Sequence, residues 1–235
     1  MVYINCAISY NQIMNKISWI FFDIGGVLVD DSEYEQLRID TLYKTIKIFD
    51  STTSRKNILD AIPKASSMTG LLNDNILNIF LRDKQKLYMA KNLIASKRHA
   101  LSEAAANAKV RPETKNVLSE LSKNFQLGLI ANQPKSTRES LEEADILQYF
   151  SHSLMSEDHG YRKPDLRYFK SVLDDCDTEP EKSAIIDNNI ERGLLPAKKI
   201  GMTTVWYRLP DKKYIENSSI DYTISNLSEL TNIFK

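Results

Sequence analysis

Trp19-Ile-Phe-Phe-Asp23-Ile-Gly-Gly-Val-Leu-Val-Asp30 joins an apolar run, a single carboxylate and two glycines in one short segment. The apolar run predicts a buried strand, and Asp23 follows it directly. Ligands of open α/β sheets bind at the carboxyl ends of the strands, and glycines let a backbone approach a bound group closely. Asp23 is therefore a candidate nucleophile or metal ligand; the alternative is an Asp that caps a turn.

The composition is that of an ordinary globular protein. The 235 residues are 26% charged and 42% hydrophobic, enough for one large domain or a core with an insert. Lys and Arg total 31, as do Asp and Glu, so no basic field indicates nucleic acid. No apolar run approaches the roughly 20 residues of a membrane helix. Cys6 and Cys176 lack metal-motif spacing, and residues 1–13 lack signal-peptide features; both observations predict a cytoplasmic protein.

Strand-like and helix-like segments alternate after residue 110, which predicts a doubly wound α/β fold with a parallel sheet between helices. The predicted strands are residues 19–22, 126–131, 151–155, 183–186, 203–207 and 221–224. The predicted helices are residues 112–123, 134–144, 164–172 and 191–200, with a last helix at the C-terminus.

Residues 31–108 differ, because they contain few glycines and prolines and no strand-like alternation. Ser32 and Glu35 form a capping box before apolar residues at helical spacing. We predict a helical cap domain at residues 31–108, an α/β core at residues 14–30 and 109–235, and an extension at residues 1–13. The alternative is that the helical block packs as ordinary core.

Four segments together resemble the motifs of the haloacid dehalogenase superfamily, whose members are mostly magnesium-dependent phosphohydrolases. The resemblance extends from Ser18 to Phe234, and the motifs occur in the family's order. It implies a Rossmann-like core with an inserted helical cap. The four segments are residues 19–30, Leu127-Gly-Leu-Ile-Ala-Asn-Gln-Pro134, Gly160-Tyr-Arg-Lys-Pro-Asp165 and residues 185–202.

The resemblance assigns the catalytic roles to Asp23 and Lys163. Asp23 matches the aspartate that attacks phosphorus and forms an aspartyl-phosphate. Lys163 matches the lysine that offsets the repulsion between this carboxylate and an anionic substrate, although a lone lysine is more often solvated surface. Gly25 stands where phosphohydrolases carry a second aspartate that protonates the leaving oxygen, so that acid is missing or supplied elsewhere.

The second motif implies a phosphate site at Ala131, Asn132 and Gln133. The family's Ser or Thr is here Ala131, whose side chain is expected to pack in the core. The backbone N–H groups of Asn132 and Gln133 can still bind an anion. Losing one hydrogen bond to a charged group costs about 1.5–3 kcal/mol, so phosphate binding is weakened but not prevented.

The fourth motif implies a weak Mg²⁺ site formed by Asp23, the carbonyl of Gly25, and Asn188 or Asp187. Counting back from Pro196 places Asn188 at the family's first acid and Gly193 at its second. Magnesium prefers hard oxygen ligands and often uses only one or two carboxylates. The alternative is that Asp187 and Asn188 only cap the following helix.

The resemblance therefore predicts a phosphatase of a small phosphorylated metabolite, either a monomer or a homodimer. One alternative is a metal-independent dehalogenase, because that chemistry also lacks the second acid. Against it, no arginine follows Asp23 before Arg38. The other alternative is a catalytically impaired anion-binding or regulatory protein, favoured by Gly25, Ala131, Asn188 and Gly193 together.

Overall fold

The computed structural model describes residues 17–209 and 219–235; the predicted extension at residues 1–13 lies outside them. A five-stranded parallel sheet with the order β4-β1-β5-β6-β7 forms the centre. The predicted doubly wound α/β fold is confirmed. The strands of this sheet are β1 (Trp19–Phe22), β4 (Gln126–Leu129), β5 (Ser183–Asp187), β6 (Thr203–Tyr207) and β7 (Tyr222–Ile224).

Strand β1 lies at the point where the strand order reverses, with β4 on one side and β5 on the other. Its apolar residues are buried on both faces. Phe22 belongs to one core cluster with Leu118, and Phe21 to a second cluster with Phe169. Because crevices at such reversal points hold ligands in open α/β sheets, the residue that follows β1 lies at the expected position for chemistry.

Helices cover both faces of the sheet. The predicted helical segments form, with shorter bounds in most cases, because prolines and polar residues occupy the first turns that the apolar pattern includes. The helices are α6 (Thr114–Leu121), α7 (Thr137–Glu143), α8 (Ser156–His159), α9 (Leu166–Asp175), α10 (Leu195–Ile200) and α11 (Leu230–Ile233), with 3₁₀ turns at Leu147–Tyr149, Pro180–Lys182 and Leu227–Glu229. The sequence does not predict α8, and α9 extends beyond its predicted end at residue 172.

Two sequence predictions differ from the structure. The predicted strand at residues 151–155 is wrong, because only His152 makes a single bridge, to Gly128 beside β4. The predicted helix at residues 191–200 begins with a π-helix, Ile190–Leu194, and becomes α-helical only at Leu195.

The helical block at residues 31–108 consists of five helices with an apolar cluster of their own. The chain leaves the sheet region at β2 (Val29–Asp30) and returns at β3 (Lys109–Val110), and these two short strands pair antiparallel. Entry and exit are therefore adjacent; the division into two domains remains a prediction. The helices are α1 (Ser32–Phe49), α2 (Arg55–Ser66), α3 (Leu72–Phe80), α4 (Lys84–Ala95) and α5 (Arg98–Ala106).

A membrane-spanning helix would need a long apolar run. Among the residues that the structure describes, none of the helices has the length and hydropathy for this.

Candidate active site

Asp23, Lys163 and Asp187 meet at the carboxyl edge of the sheet. Asp23 follows β1 and Asp187 ends β5, and these strands pair in parallel. The Nζ atom of Lys163 lies 3.0 Å from Oδ1 of Asp23 and 2.6 Å from Oδ2 of Asp187. The two sequence-predicted catalytic side chains are therefore in contact, and one bound phosphate could reach both.

This group of three charges is almost fully removed from solvent. Asp23 is 6% exposed, Lys163 1% and Asp187 0%. Burial raises the pKa of the Asp187 carboxyl, the charge of Asp23 raises it further, and Lys163 opposes both effects. Because one ammonium serves two buried carboxylates, the site carries an excess negative charge that a bound cation would compensate.

Asn132 holds Lys163 in place through its backbone. The side-chain Oδ1 accepts from the N–H of Lys163 at 2.8 Å, and Nδ2 donates to the carbonyl of Lys163 at 2.9 Å. Asp165 then begins helix α9 as its N-cap by accepting from the N–H of Arg167. The loop after β4 thus positions the lysine of the next motif, a role for Asn132 that the sequence alone did not indicate.

The predicted phosphate site has two backbone donors to offer. The side chain of Ala131 is buried in the core, and its N–H donates to the hydroxyl of Tyr168 at 3.2 Å. Within residues 17–209 and 219–235, the N–H groups of Asn132 and Gln133 donate to no protein acceptor. Unsatisfied N–H groups in such a loop form an anion site, so Asn132 and Gln133 could bind phosphate, whereas the N–H of Ala131 is already engaged.

Oxygen atoms that could act as metal ligands lie close together beside the turn that follows Asp23. The Nδ2 atom of Asn188 donates to the carbonyl of Gly25 at 3.3 Å. A β-carbon on Gly26, which has φ +73°, would lie 2.0 Å from the same Nδ2 atom, so this contact requires glycine. Rotating the amide of Asn188 would present its oxygen next to the Gly25 carbonyl, and together with Asp23 these are hard ligands of the type that Mg²⁺ prefers.

Asp187 is less available to a metal than Asn188. Its Oδ1 accepts from the N–H of Asn189 at 2.7 Å, and its Oδ2 is bound to Lys163. The residues therefore fit a magnesium site with one carboxylate, that of Asp23, whose Oδ1 also pairs with Lys163.

A family model described as haloacid dehalogenase-like hydrolase matches residues 17–201. The chain belongs to the haloacid dehalogenase-like hydrolases. Among curated relatives, a glyceraldehyde 3-phosphate phosphatase of Pyrococcus furiosus is 25% identical and is aligned over 94% of this chain and 95% of its own.

Solved structures of other haloacid dehalogenase-like proteins share the fold. A family member from Streptococcus pneumoniae has a TM-score of 0.67 at 20% identity, covering 94% of this chain and all of the other. A 2-haloacid dehalogenase from Pseudomonas syringae has a TM-score of 0.59 at 21% identity, covering 92% and 97% of the two chains. At these identities the likeness shows the fold, so the chemistry has to be inferred from the site.

The glycine at position 193 faces the carboxylate of Asp187. A β-carbon there would lie 2.1 Å from Oδ2 and 2.3 Å from Cγ of Asp187. The π-helix brings Gly193 to this position, because its wider turn places the backbone against the end of β5. A π-helical turn often marks a functional site. Position 193, which matches the second acid of the family motif, therefore has no space for a side chain beside the carboxylate of Asp187.

Replacing Gly193 with Ala should therefore destabilise the protein and disturb the site. Asp187 cannot retreat freely, because Lys163 and the N–H of Asn189 hold both of its oxygens. Overpacking of this kind costs about 1–3 kcal/mol, and we expect a loss in that range or above it in urea denaturation, with turnover reduced. Glu191→Ala in the same π-helix is the control. Wild-type stability of Gly193→Ala would show that the contact relaxes easily.

The helical block touches the rim of the site. Nδ2 of Asn189 donates to Oγ of Ser66, the last residue of α2, at 3.3 Å. Ser66 is buried at this contact. The block is thus in contact with the loop that follows Asp187.

Proposed function

We propose that this hydrolase is a phosphatase of a small phosphorylated metabolite that reacts through an aspartyl-phosphate on Asp23. The observation that carries the proposal is the contact of Lys163 with Asp23 at 3.0 Å, beside the free N–H groups of Asn132 and Gln133. A carboxylate nucleophile, a cation and two oriented donors around one position are what phosphoryl transfer needs. The phosphatases among its relatives support the substrate class.

In this mechanism Asp23 attacks phosphorus while Lys163 and the N–H groups of Asn132 and Gln133 stabilise the equatorial oxygens. Asp23, the carbonyl of Gly25 and the amide oxygen of Asn188 would hold Mg²⁺, which supplies further positive charge to the phosphoryl group. Asp187 and Asn132 are positioning residues, because both act through Lys163.

Dehalogenation is disfavoured by the state of Arg38. Its guanidinium bonds to Glu35 at 2.7 and 2.9 Å and to Asn73 at 2.9 Å inside the helical block. An arginine buried and held by these three bonds is not positioned to bind a departing halide. The retained contact of Asp23 with Lys163 also argues against a purely regulatory protein.

A broad panel of phosphate esters, assayed with and without Mg²⁺, tests the proposal. We expect turnover of at least one small phosphate ester, dependent on Mg²⁺ and absent in Asp23→Asn. Turnover of a 2-haloacid in EDTA, or no turnover of any ester while phosphate still binds, would contradict it and favour one of the two alternatives.

Magnesium should bind weakly, and Asn188→Asp should strengthen the binding. Of the three proposed ligands only Asp23 carries a carboxylate. A second carboxylate at position 188 adds Coulomb attraction of about 1 kcal/mol per unit of metal charge in water, which is about fivefold in Kd per unit charge, and more where the site is buried. Calorimetric titration with Mg²⁺ measures this. Asn124→Asp, before the amino end of β4, is the control with the same charge change. Unchanged affinity in Asn188→Asp would place the metal elsewhere.

A further inference from the structure

The carboxylate of Asp31 occupies the space that Gly25 leaves open. A β-carbon on Gly25 would lie 2.5 Å from Oδ2 of Asp31, and one on Gly26 would lie 3.5 Å from its Oδ1. Asp31 is the N-cap residue of α1, yet its side chain makes no capping hydrogen bond. The side chain therefore turns back towards the loop after β1 instead of capping the helix that it precedes.

We propose that Asp31 is the general acid and base of this enzyme, acting from a different position in the chain in place of the side chain that Gly25 lacks. The proposal rests on the phosphatase function proposed above. Gly25 is two residues beyond the nucleophile, and a side chain there would project to the point that the Asp31 carboxylate fills. A protonated Asp31 can therefore donate to the leaving oxygen of a substrate on Asp23.

The two half-reactions balance with these groups alone. Asp23 forms a bond to phosphorus, the bond to the leaving oxygen breaks, and that oxygen takes its electron pair and the proton of Asp31. The Asp31 carboxylate then removes a proton from water as the water oxygen attacks phosphorus. The bond from Asp23 to phosphorus breaks, phosphate departs, and Asp31 is protonated again.

A second glycine, Gly193, also has the carboxylate of another residue in the space beside it. There too a glycine replaces an acid of the family pattern, and the carboxylate of Asp187 lies where the β-carbon would be. In both places the chain keeps a carboxylate in the site and supplies it from another residue. Loss of the acid from the motif is thus not loss of the acid from the site.

The competing explanation is electrostatic, because an acidic residue at a helix N-terminus stabilises the helix whether or not it reacts. Leaving-group dependence separates the two roles. An acid matters most for alkoxide leaving groups of high pKa and little for stable anions such as nitrophenolate, whereas a structural effect lowers all rates alike.

The experiment compares wild type, Asp31→Asn and Asp30→Asn on a series from aryl to alkyl phosphates. Asp30 is exposed and accepts from the N–H of Ser32 at 3.1 Å, which Asn can also do, so Asp30→Asn matches the charge change. We expect Asp31→Asn to lose about 10²–10⁴-fold on alkyl phosphates, and far less on nitrophenyl phosphate. The plot of log kcat against leaving-group pKa should become steeply negative.

A double variant tests whether an acid at position 25 can replace the acid at position 31. Gly25→Asp/Asp31→Ala restores the acid at the family position and removes the side chain that would collide with it, so it should recover at least tenfold of the lost alkyl-phosphate activity. Absence of a pre-steady-state burst of the leaving group establishes that formation of the aspartyl-phosphate limits the rate. An unchanged slope in Asp31→Asn, or an equal loss on every ester, overturns the proposal while the phosphatase function stands. A wild type without ester hydrolysis overturns both.

A second inference comes from a different part of the molecule. His152, His159 and Asp175 bring three ligand atoms within 4.8 Å of one another. Oδ2 of Asp175 lies 3.7 Å from Nε2 of His152 and 3.9 Å from Nδ1 of His159. His152 is 7% exposed, and neither of its ring nitrogens has a hydrogen-bond partner among the described residues. Buried polar atoms without partners cost about 1–3 kcal/mol each.

We infer that these residues form a binding site for Zn²⁺ or a similar divalent transition metal, separate from the catalytic edge. Two imidazoles and one carboxylate are a usual zinc ligand set, and a tetrahedral site needs ligand atoms roughly 3.4 Å apart, close to the observed 3.7 Å between Asp175 and His152. Nδ1 of His159, 3.9 Å from the same oxygen, also contacts Oγ of Ser171 at 3.0 Å and would exchange that contact for the metal. Asp175 is half exposed and gives the ion a route in. A bound ion would join α8 and α9 to the segment beside β4.

Calorimetric titration with Zn²⁺ in Asp23→Asn, which lacks the carboxylate proposed to bind Mg²⁺, tests the site. We expect one equivalent bound, a raised Tm, and at least tenfold weaker binding in Asp175→Asn, which changes a half-exposed residue and should fold. His152→Asn should abolish binding, and His99→Asn on the exposed surface of α5 is the control. The inference is overturned if zinc does not bind stoichiometrically, or if Asp175→Asn and His152→Asn bind zinc as tightly as the protein without these substitutions.

Discussion

Replacing Asp23 with Asn should reduce turnover by on the order of 10⁴-fold or more without lowering the free energy of unfolding. The activity falls because an amide cannot form the aspartyl-phosphate. The stability is retained because Asp23 and Asp187 share the single ammonium of Lys163. Removing one of the two carboxylates leaves a balanced pair of Lys163 and Asp187 at 2.6 Å.

The measurements are kcat on the best ester of the panel and urea denaturation of both proteins in EDTA. Asp165→Asn, outside the charge group but in the same motif as Lys163, is a suitable control for the effect of the amide on folding. Turnover within tenfold of wild type would show that another group attacks phosphorus. A large loss of stability would show that the carboxylate of Asp23 is needed by the fold itself.

The sequence predicts the sheet well, because its strands are short apolar runs with clear ends. Both Thr203–Tyr207 and Trp19–Phe22 have the predicted bounds. The strand predicted at residues 151–155 does not form, because this segment lies beside the outer strand β4 but makes only one bridge, at His152. Local pattern cannot show whether a neighbouring strand is in register. The sequence does not predict the π-helix for a similar reason, since the apolar spacing of its residues also fits an α-helix.

The sequence predicts those site residues that belong to a motif. It does not predict side chains that reach the site from elsewhere in the chain. Asp23 and Lys163 follow from the motifs, and the structure brings them into contact. Asp31 does not, because its sequence neighbours indicate a helix start, and only the coordinates show its carboxylate against Gly25. Counting motif residues therefore overstates how degenerate this site is.

Lys163→Met should lose both activity and stability. Removing an oriented charge that faces the transition state lowers kcat by about 10²–10³-fold. It also leaves the carboxylates of Asp23 and Asp187 buried together without their cation, and breaking a buried ion pair in this way costs about 3–5 kcal/mol. Lys170→Met, at an exposed position on α9, is the control.

The pH dependence of Lys163→Met identifies the cause of its instability. Burial and Asp23 already raise the pKa of Asp187 in the wild type, and loss of the lysine raises it further. A folded-state pKa above the unfolded value means that the folded protein binds more protons, so stability falls as pH rises through that window and recovers as pH is lowered.

Urea denaturation in EDTA at several pH values should therefore show the deficit of Lys163→Met shrinking towards mildly acidic pH. Lys163→Met/Asp187→Asn should recover much of it at neutral pH, because one of the two opposed charges is gone. A deficit independent of pH and unrelieved by Asp187→Asn would mean that Lys163 stabilises the fold through packing of its stem, and that its charge serves only the bound substrate.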